Sequence, residues 1–161
     1  MSVFVNPDYD PGTVPPSVAD ARGFHAALPG YGPTPLRELE CGVWLKDESD
    51  RLGLPAFKIL GASWAVERAL ASDPTITTLV AASIGNHGRA VAHEARRRGL
   101  AARIFLPARS LPVRRDAIAS EGAEVVVIDG GYEQAVAAAA AEGALRDCFE
   151  LADVGETGPA T

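Results

Sequence analysis

The sequence contains few of the residues from which disulfide frameworks and metal centres are built. Its 161 residues include two cysteines and three histidines. Cys41 and Cys148 show neither a CxxC motif nor the spacing of zinc ligands, and no histidine belongs to a His-Glu-x-x-His motif. We therefore predict that both thiols are unpaired, as is usual in a reducing cytoplasm, and that the chain has no metal site.

Long apolar runs and an excess of positive charge are also missing. No stretch approaches the roughly 18 apolar residues that span a bilayer, and the first residues lack the pattern of a secretory signal. The net charge of −6 is opposite in sign to a nucleic-acid-binding surface. The one compact basic run, 96–98, lies where a helix should end, and cations there complement the helix dipole. We expect neither a membrane nor a nucleic acid as partner.

The N-terminal third of the chain shows two different patterns. Residues 1–35, which we call the arm, are rich in proline and glycine, which disfavours regular structure apart from a short helix near 18–27. A short strand at 42–46 and an amphipathic helix at 57–71, ended by Pro74, should follow. Five apolar side chains of this helix are expected to share one face: Phe57, Leu60, Trp64, Ala65 and Ala69.

From residue 76 onward, predicted strands alternate with predicted helices. The strands are expected at 76–82, 101–106, 124–128 and 149–152, and the helices at 86–98, 113–121 and 132–145. This alternation favours parallel pairing with right-handed crossovers. We therefore predict an α/β fold, a three-layer parallel sheet with helices on both faces. A change in composition near residue 74 predicts two lobes, 1–73 with Lys58 and 74–161 with a βαβαβ unit.

The loop at residues 83–88, SIGNHG, is the most unusual strand-to-helix connection in the chain. It follows a predicted strand and opens a predicted helix, which is where ligands bind in open α/β sheets. Free N–H groups at a helix start suit a carboxylate or a phosphate. Equally, the loop could be only a tight turn with Asn86 as the helix cap. No GxGxxG or GxxxxGK[ST] motif is present, which excludes the dinucleotide and P-loop signatures.

Lys58 is the second unusual residue. A single lysine is usually a solvated surface charge. Here its neighbours are apolar or small, which would leave room for a bulky group at its tip. Lysine forms Schiff bases with carbonyl cofactors when desolvation lowers its pKa.

Together the two segments resemble a known family of enzymes. Residues 56–63, AFKILGAS, are similar to the lysine segment of pyridoxal-phosphate (PLP) enzymes of the tryptophan-synthase-β fold type (fold type II), and residues 83–88 are similar to their substrate loop. Within that fold type, the sequence most resembles the diaminopropionate ammonia-lyases. The shared segments include residues 6–7, 28–31, 33–36, 46–49 and 86–89.

The resemblance implies a role for each residue of the two segments. Lys58 would hold PLP covalently and then remove the substrate α-proton, and Asn86 would bond the cofactor's ring oxygen. The loop would bind the carboxylate of a small amino-acid substrate through Ser83, Ile84, Gly85, His87 and Gly88. His87 would either shape the loop or act in acid–base chemistry. The implied reaction is α,β-elimination of 2,3-diaminopropionate to pyruvate and ammonia, by a cytoplasmic homodimer when full length.

Two departures from the family pattern leave alternatives open. Ile84 replaces the aspartate that the family associates with D-substrates, so we expect a preference for L-substrates or for a different leaving group. The family's glycine-rich phosphate loop lies well downstream, and residues 153–159 resemble family sequence that continues. We therefore expect an N-terminal fragment. The alternative readings are a serine/threonine dehydratase-like or threonine-synthase-like enzyme, or a non-catalytic truncated remnant.

Overall fold

The computed structural model describes residues 21–153. The beginning of the arm, the start of the helix predicted near 18–27 and the segment after residue 153 lie outside the described residues. The elements are α1 (Ala21–Ala27), β1 (Leu36–Glu38), β2 (Trp44–Lys46), α2 (Lys58–Ser72), β3 (Thr78–Ala82), α3 (Asn86–Arg98), β4 (Ala101–Pro107), α4 (Pro112–Ala119), β5 (Glu124–Ile128), α5 (Tyr132–Gly143) and β6 (Cys148–Glu150). A helix long and apolar enough to cross a membrane is not found among the described residues.

The main sheet has four strands in the order β5-β4-β3-β6, and all three pairings are parallel. In the central pair, Ala81 faces Ile104. The predicted parallel α/β arrangement is therefore confirmed. β1 and β2 form a separate antiparallel hairpin. The strand β1 was not predicted, because the three residues Leu36–Glu38 carry no apolar alternation.

Both faces of the sheet are covered, which accounts for the nearly continuous apolar character of its central strands. Alternate side chains point to opposite faces. Leu79 packs in a core with α2, α3 and α4, whereas Val80 packs in a second core with α5. The predicted three layers are present. The division into lobes 1–73 and 74–161 stays a prediction.

The buried face of α2 differs from the predicted one. Phe57 precedes the helix and is 59% exposed, while Leu60 and Trp64 are only half-buried. The buried residues of the helix are Ile59, Ala62, Ser63, Val66 and Ala69. Trp64 instead contacts Phe24 of α1, with 5.3 Å between ring centroids. The helix has two adjacent apolar stripes, and the one with smaller and branched side chains fits against the core.

The C-terminal end of α3 agrees with the prediction from the sequence. Gly99 adopts a left-handed conformation with φ of 69° and ends the helix, as is common for glycine at this position. The three arginines before it each contact a carboxylate: Arg96 with Glu121, Arg97 with Glu94, and Arg98 with both Glu94 and Glu67. The three arginines of the basic run 96–98 are therefore engaged in ion pairs within the chain.

Segment 46–49, which carries part of the family resemblance, is held by ionic contacts. Glu48 accepts hydrogen bonds from Arg51 and from the hydroxyl of Thr34, and these lower the pKa of Glu48 to about 2. Lys46 donates to the backbone carbonyl of Thr34. This network ties the end of the arm to the turn before α2, so these residues serve the fold.

Candidate active site

The loop 83–88 lies at the carboxyl ends of the parallel strands, where ligands bind in sheets of this type. β3 ends at Ala82 and α3 begins at Asn86. The amide of Ser83 still donates to the carbonyl of Phe105 at 3.0 Å. The first residue of the loop is therefore still hydrogen-bonded to β4, and the sheet fixes where the loop begins.

The hydroxyl of Ser83 closes the loop from inside. Its Oγ accepts a hydrogen bond from the amide of Gly88 at 2.9 Å and a longer one from the amide of Gly85 at 3.3 Å. Ser83 is buried, with 6% of its surface exposed. These contacts give Ser83 a clear structural role, and its predicted contact with a substrate carboxylate stays a prediction.

The two glycines of the loop differ in what the structure demands of them. A Cβ on Gly88 would lie 3.0 Å from Cγ2 of Ile104 and 3.1 Å from Cβ of Ser83, so only glycine lets α3 approach the sheet this closely. A Cβ on Gly85 would meet nothing within 4 Å. Of the two glycines, only Gly88 is therefore sterically required.

His87 connects the first turn of α3 to the end of β6. It is buried, and its Nε2 lies 2.8 Å from the carbonyl oxygen of Leu151. Its Nδ1 lies 3.8 Å from Oδ1 of Asp153. Of the two roles considered for His87, these contacts favour shaping the loop.

Lys58 is the first residue of α2, and its ammonium group donates to the carboxylate of Asp153. The Lys58 ammonium holds the pKa of Asp153 below its ordinary value, and His87 adds to this effect. The side chain of Lys58 is 36% exposed. The expected room at its tip is present, but its partner is a carboxylate and not the purely apolar surroundings that the neighbouring sequence predicts.

A cavity of about 410 Å³ brings the two predicted segments together. It is lined by Phe57, Lys58, Ser83, Ile84, Gly85, Asn86, His87, Tyr132 and Asp153. A neighbouring, mostly apolar cavity of about 560 Å³ shares four of these residues with it: Phe57, Lys58, His87 and Asp153. Volumes of this size suit small-molecule ligands. Of the predicted site residues, only Gly88 does not line either cavity.

Two residues of this site were not anticipated from the sequence. Asp153 lies 95 positions from Lys58, and Tyr132 lies 50 positions from Ala82. Tyr132 belongs to no recognisable motif, and Asp153 begins the segment 153–159, whose resemblance to the family assigned it no role in the site. The sequence indicated only that both residues lie near the carboxyl edge of the sheet: Tyr132 begins α5, and Asp153 follows β6.

The residues present fit the lysine-bearing side of a PLP site. Lys58 and Asn86 line one cavity, and the side chain of Asn86 is exposed, with no hydrogen bond seen to the described residues. Gly130 and Gly131 lie outside the two cavities and open α5, where the amide of Gly131 donates to Gln134. Within residues 21–153, no group of three or more His, Cys, Asp or Glu side chains could hold a metal ion.

The fold and the lysine-bearing cavity define the class of protein. Residues 27–157 match the family described as pyridoxal-phosphate dependent enzymes, and the chain belongs to this family. The cofactor implied by the sequence resemblance is thus the cofactor of the family.

The relatives within the family are more specific. The diaminopropionate ammonia-lyase of Escherichia coli strain K12 is 36% identical over 141 residues, which cover 72% of this chain and 35% of that enzyme. The biosynthetic L-threonine dehydratase of Haemophilus influenzae is 34% identical over 101 residues, or 63% of this chain and 19% of the dehydratase. The chain spans about a third of the curated ammonia-lyases it matches, at 35% of their length.

Solved structures give the same result. The apo form of the Escherichia coli diaminopropionate ammonia-lyase superposes with a TM-score of 0.78 and 34% identity, over 86% of this chain and 43% of that one. The same enzyme in complex with an aminoacrylate-PLP azomethine reaction intermediate gives a TM-score of 0.78 and 33% identity, over 86% of this chain and 41% of that one. The predicted fold class and family resemblance are confirmed.

Proposed function

We propose that this chain is the lysine-bearing part of a PLP-dependent ammonia-lyase that converts 2,3-diaminopropionate to pyruvate and ammonia by α,β-elimination. The observation that carries the proposal is the cavity that Lys58 shares with the loop 83–88. The identity to diaminopropionate ammonia-lyases supports the choice of substrate. Because the chain spans 35% of those relatives, the activity is assigned to the whole protein.

The residues of the chain have separate tasks in this proposal. The chemistry that PLP supplies when bound is electron withdrawal from the substrate α-carbon. Lys58 holds the cofactor and then accepts the α-proton at its Nζ. Asn86 orients the ring through its side-chain amide. The amides at the start of α3 receive the substrate carboxylate, because a helix N-terminus favours an anion.

Asp153 completes this arrangement from the end of β6. Its carboxylate accepts a hydrogen bond from Lys58 and lies 3.8 Å from Nδ1 of His87. While the cofactor is not attached, the ion pair holds the lysine side chain at the cavity wall. A positioned base at the cavity wall is what proton abstraction requires.

The first test uses the fact that Lys58 and Lys46 are the chain's two lysines. PLP added to the chain should attach at Lys58, give a visible absorbance band, and be fixed there by borohydride reduction. Mass mapping of the peptides identifies the attachment point. Lys58→Ala should abolish the band, whereas Lys46→Ala should retain it, because Lys46 binds the carbonyl of Thr34 away from the cavity.

The outcomes of this test separate the enzyme from a non-catalytic remnant. Attachment at Lys58 alone supports the proposal. Attachment only at Lys46 or at the N-terminal amine, with no difference between Lys58→Ala and the unchanged chain, would contradict it. The remnant reading would then be preferred.

A dehydratase is the second candidate function, because L-threonine dehydratases also match the chain. The two enzymes differ in the group that leaves the β-carbon, an amine or a hydroxyl. Assays of the complete protein with 2,3-diaminopropionate, L-serine and L-threonine, followed by detection of ammonia and keto acid, distinguish them. Turnover confined to the hydroxy amino acids would favour the dehydratase.

We further propose that the complete protein prefers L-substrates. Ile84 lines the cavity where the resemblance places an aspartate associated with D-substrates, and an apolar side chain cannot accept a proton. The Escherichia coli enzyme, by contrast, has been crystallised with D-serine. We expect L-2,3-diaminopropionate to be turned over at least tenfold faster than the D-isomer, and Ile84→Asp to narrow that ratio. Equal rates with both isomers would refute this prediction.

The proposal also includes a cytoplasmic homodimer. The free thiol of Cys148 fits a reducing compartment. Cell fractionation and sedimentation equilibrium of the complete protein test the location and the oligomeric state.

A further inference from the structure

Tyr132 connects α5 to the loop of the candidate active site. It is the first residue of α5, and its hydroxyl donates a hydrogen bond to the carbonyl oxygen of Ala82 at 3.1 Å. Ala82 is the last residue of β3 and directly precedes Ser83. The phenol of Tyr132 therefore holds the point where the strand becomes the loop.

The carbonyl oxygen of Ala82 lies beyond the last backbone hydrogen bond between β3 and β6, so it accepts from the Tyr132 hydroxyl instead. The pairing of β3 with β6 ends where the amide of Leu151 donates to the carbonyl of Val80 at 2.8 Å. Acceptors on one edge of a strand recur at every second residue, so the next acceptor is Ala82 and its expected donor is the amide of Asp153. That backbone bond is not found in the described part of the chain. The Tyr132 hydroxyl supplies the hydrogen bond that a buried carbonyl requires.

The chain leaves the sheet after β6, and this allows Asp153 to reach Lys58. If the chain continued in register with β3, the backbone of Asp153 would be committed to the sheet. Instead Asp153 lies in a bend, and its carboxylate accepts a hydrogen bond from Lys58. The contact of Tyr132 with Ala82 thus belongs to the same local arrangement as the ion pair of Lys58.

The ring of Tyr132 also forms part of the cavity wall. It is 41% exposed and borders the 410 Å³ cavity together with Ile84 and Asn86. On its other sides it borders a cavity of about 100 Å³ with Glu150 and one of about 270 Å³ with Arg114. The side chain therefore separates the candidate site from its surroundings.

We propose that Tyr132 is a positioning residue: its hydroxyl fixes the carbonyl of Ala82 and thereby the orientation of the loop amides that receive the substrate carboxylate. The proposal rests on the proposed function only in naming the carboxylate as the ligand of the loop. The positioning itself depends on geometry within this chain.

Tyr132→Phe is the direct test, because it keeps the ring and removes the hydroxyl. Amide hydrogen exchange measured by NMR should become about fivefold faster at Gly85 and Gly88, as expected for the loss of one hydrogen bond. Exchange at the amides of β4 should not change. Val136→Ala is the matched control, since Val136 is on the same helix and borders the same 100 Å³ cavity as Tyr132 and Ala82, but its side chain has no hydroxyl to donate to the carbonyl of Ala82. It should leave the loop amides unchanged.

Each outcome of the exchange experiment decides the question. Faster exchange confined to the loop in Tyr132→Phe supports positioning. Equal acceleration throughout the sheet, or the same loop effect in Val136→Ala, means that Tyr132 only stabilises the fold and overturns the inference. Unchanged loop exchange also overturns it. Because the measurement needs no PLP, its failure leaves the proposed function untouched, and failure of PLP to attach at Lys58 leaves this test valid.

A kinetic measurement in the complete protein addresses the carboxylate. Tyr132→Phe should raise the KM for the amino-acid substrate about fivefold and change kcat less, because the loop amides bind a group that does not react. The PLP absorbance band should be retained. A fall in kcat without a rise in KM would contradict the assignment of Tyr132 to carboxylate positioning.

Discussion

At the scale of single residues, close packing at Gly88 fixes the loop. α3 begins against the sheet, and the space that a side chain at position 88 would occupy is filled by Ile104 and Ser83. Gly61, the fourth residue of α2, is the opposite case, since a Cβ there would meet nothing within 4 Å. Close packing therefore requires glycine at position 88 but does not require it at position 61.

This contrast gives a prediction of stability. Gly88→Ala should destabilise the chain by about 1–3 kcal/mol, the usual cost of forcing an extra group into a packed region. Gly61→Ala should stabilise it by about 0.5–1 kcal/mol, because alanine loses less entropy in a helix. Urea unfolding followed by circular dichroism measures both. Similar stabilities for the two variants would show that the packing at Gly88 is not restrictive.

At the scale of elements, α2 illustrates how packing selects one of two apolar stripes. The stripe with Leu60 and Trp64 meets α1, where His25 Nε2 lies 2.8 Å from the carbonyl of Leu60. The stripe with Ile59 and Val66 is fully buried in the core with α3. The helix therefore has one face for the arm and one for the sheet layer.

Substitutions on the two sides of α2 should differ in cost. Ile59→Ala should destabilise the chain by about 2–5 kcal/mol, because it removes a fully buried side chain and leaves a cavity. Phe57→Ala should change the free energy of unfolding by about 0.5 kcal/mol or less, since Phe57 is 59% exposed. If both variants lost the same free energy of unfolding in the same urea experiment, Phe57 would be a core residue, as the sequence predicted.

At the scale of the whole molecule, the hairpin β1–β2 exposes large apolar side chains. All three residues of each strand are exposed, and Trp44 is 58% and Leu36 59% accessible. Patches of this kind favour association. The net charge of −6 at pH 7 opposes it through repulsion between copies.

The balance between these two effects should depend on pH. Near the pI of about 5.0 the repulsion disappears, so we expect the chain to self-associate more at pH 5 than at pH 7, as seen by light scattering. Trp44→Ser combined with Leu36→Ser should reduce this association. Leu145→Ser, which removes a 54% exposed leucine after α5, is the control. An equal reduction by the control would show that the hairpin has no special part.

The order of elements from residue 76 to residue 150 followed from local patterns. The start and end of α3, at Asn86 and before Gly99, are as predicted. Apolar periodicity, turn residues and the alternation of strands with helices are properties of neighbouring residues, so they can be read without knowing what lies across the fold. The loop 83–88 and Lys58 were identified in the same local way, with the family resemblance giving them a common purpose.

The sequence by itself thus determined the fold class, the family and the two segments that line the cavity. Only the tertiary structure decided which stripe of α2 is buried, that Lys58 has Asp153 as its partner, and that Tyr132 holds Ala82. These contacts join residues 95 and 50 positions apart. They depend on where the sheet places the ends of β6 and α5, and no local pattern contains that information.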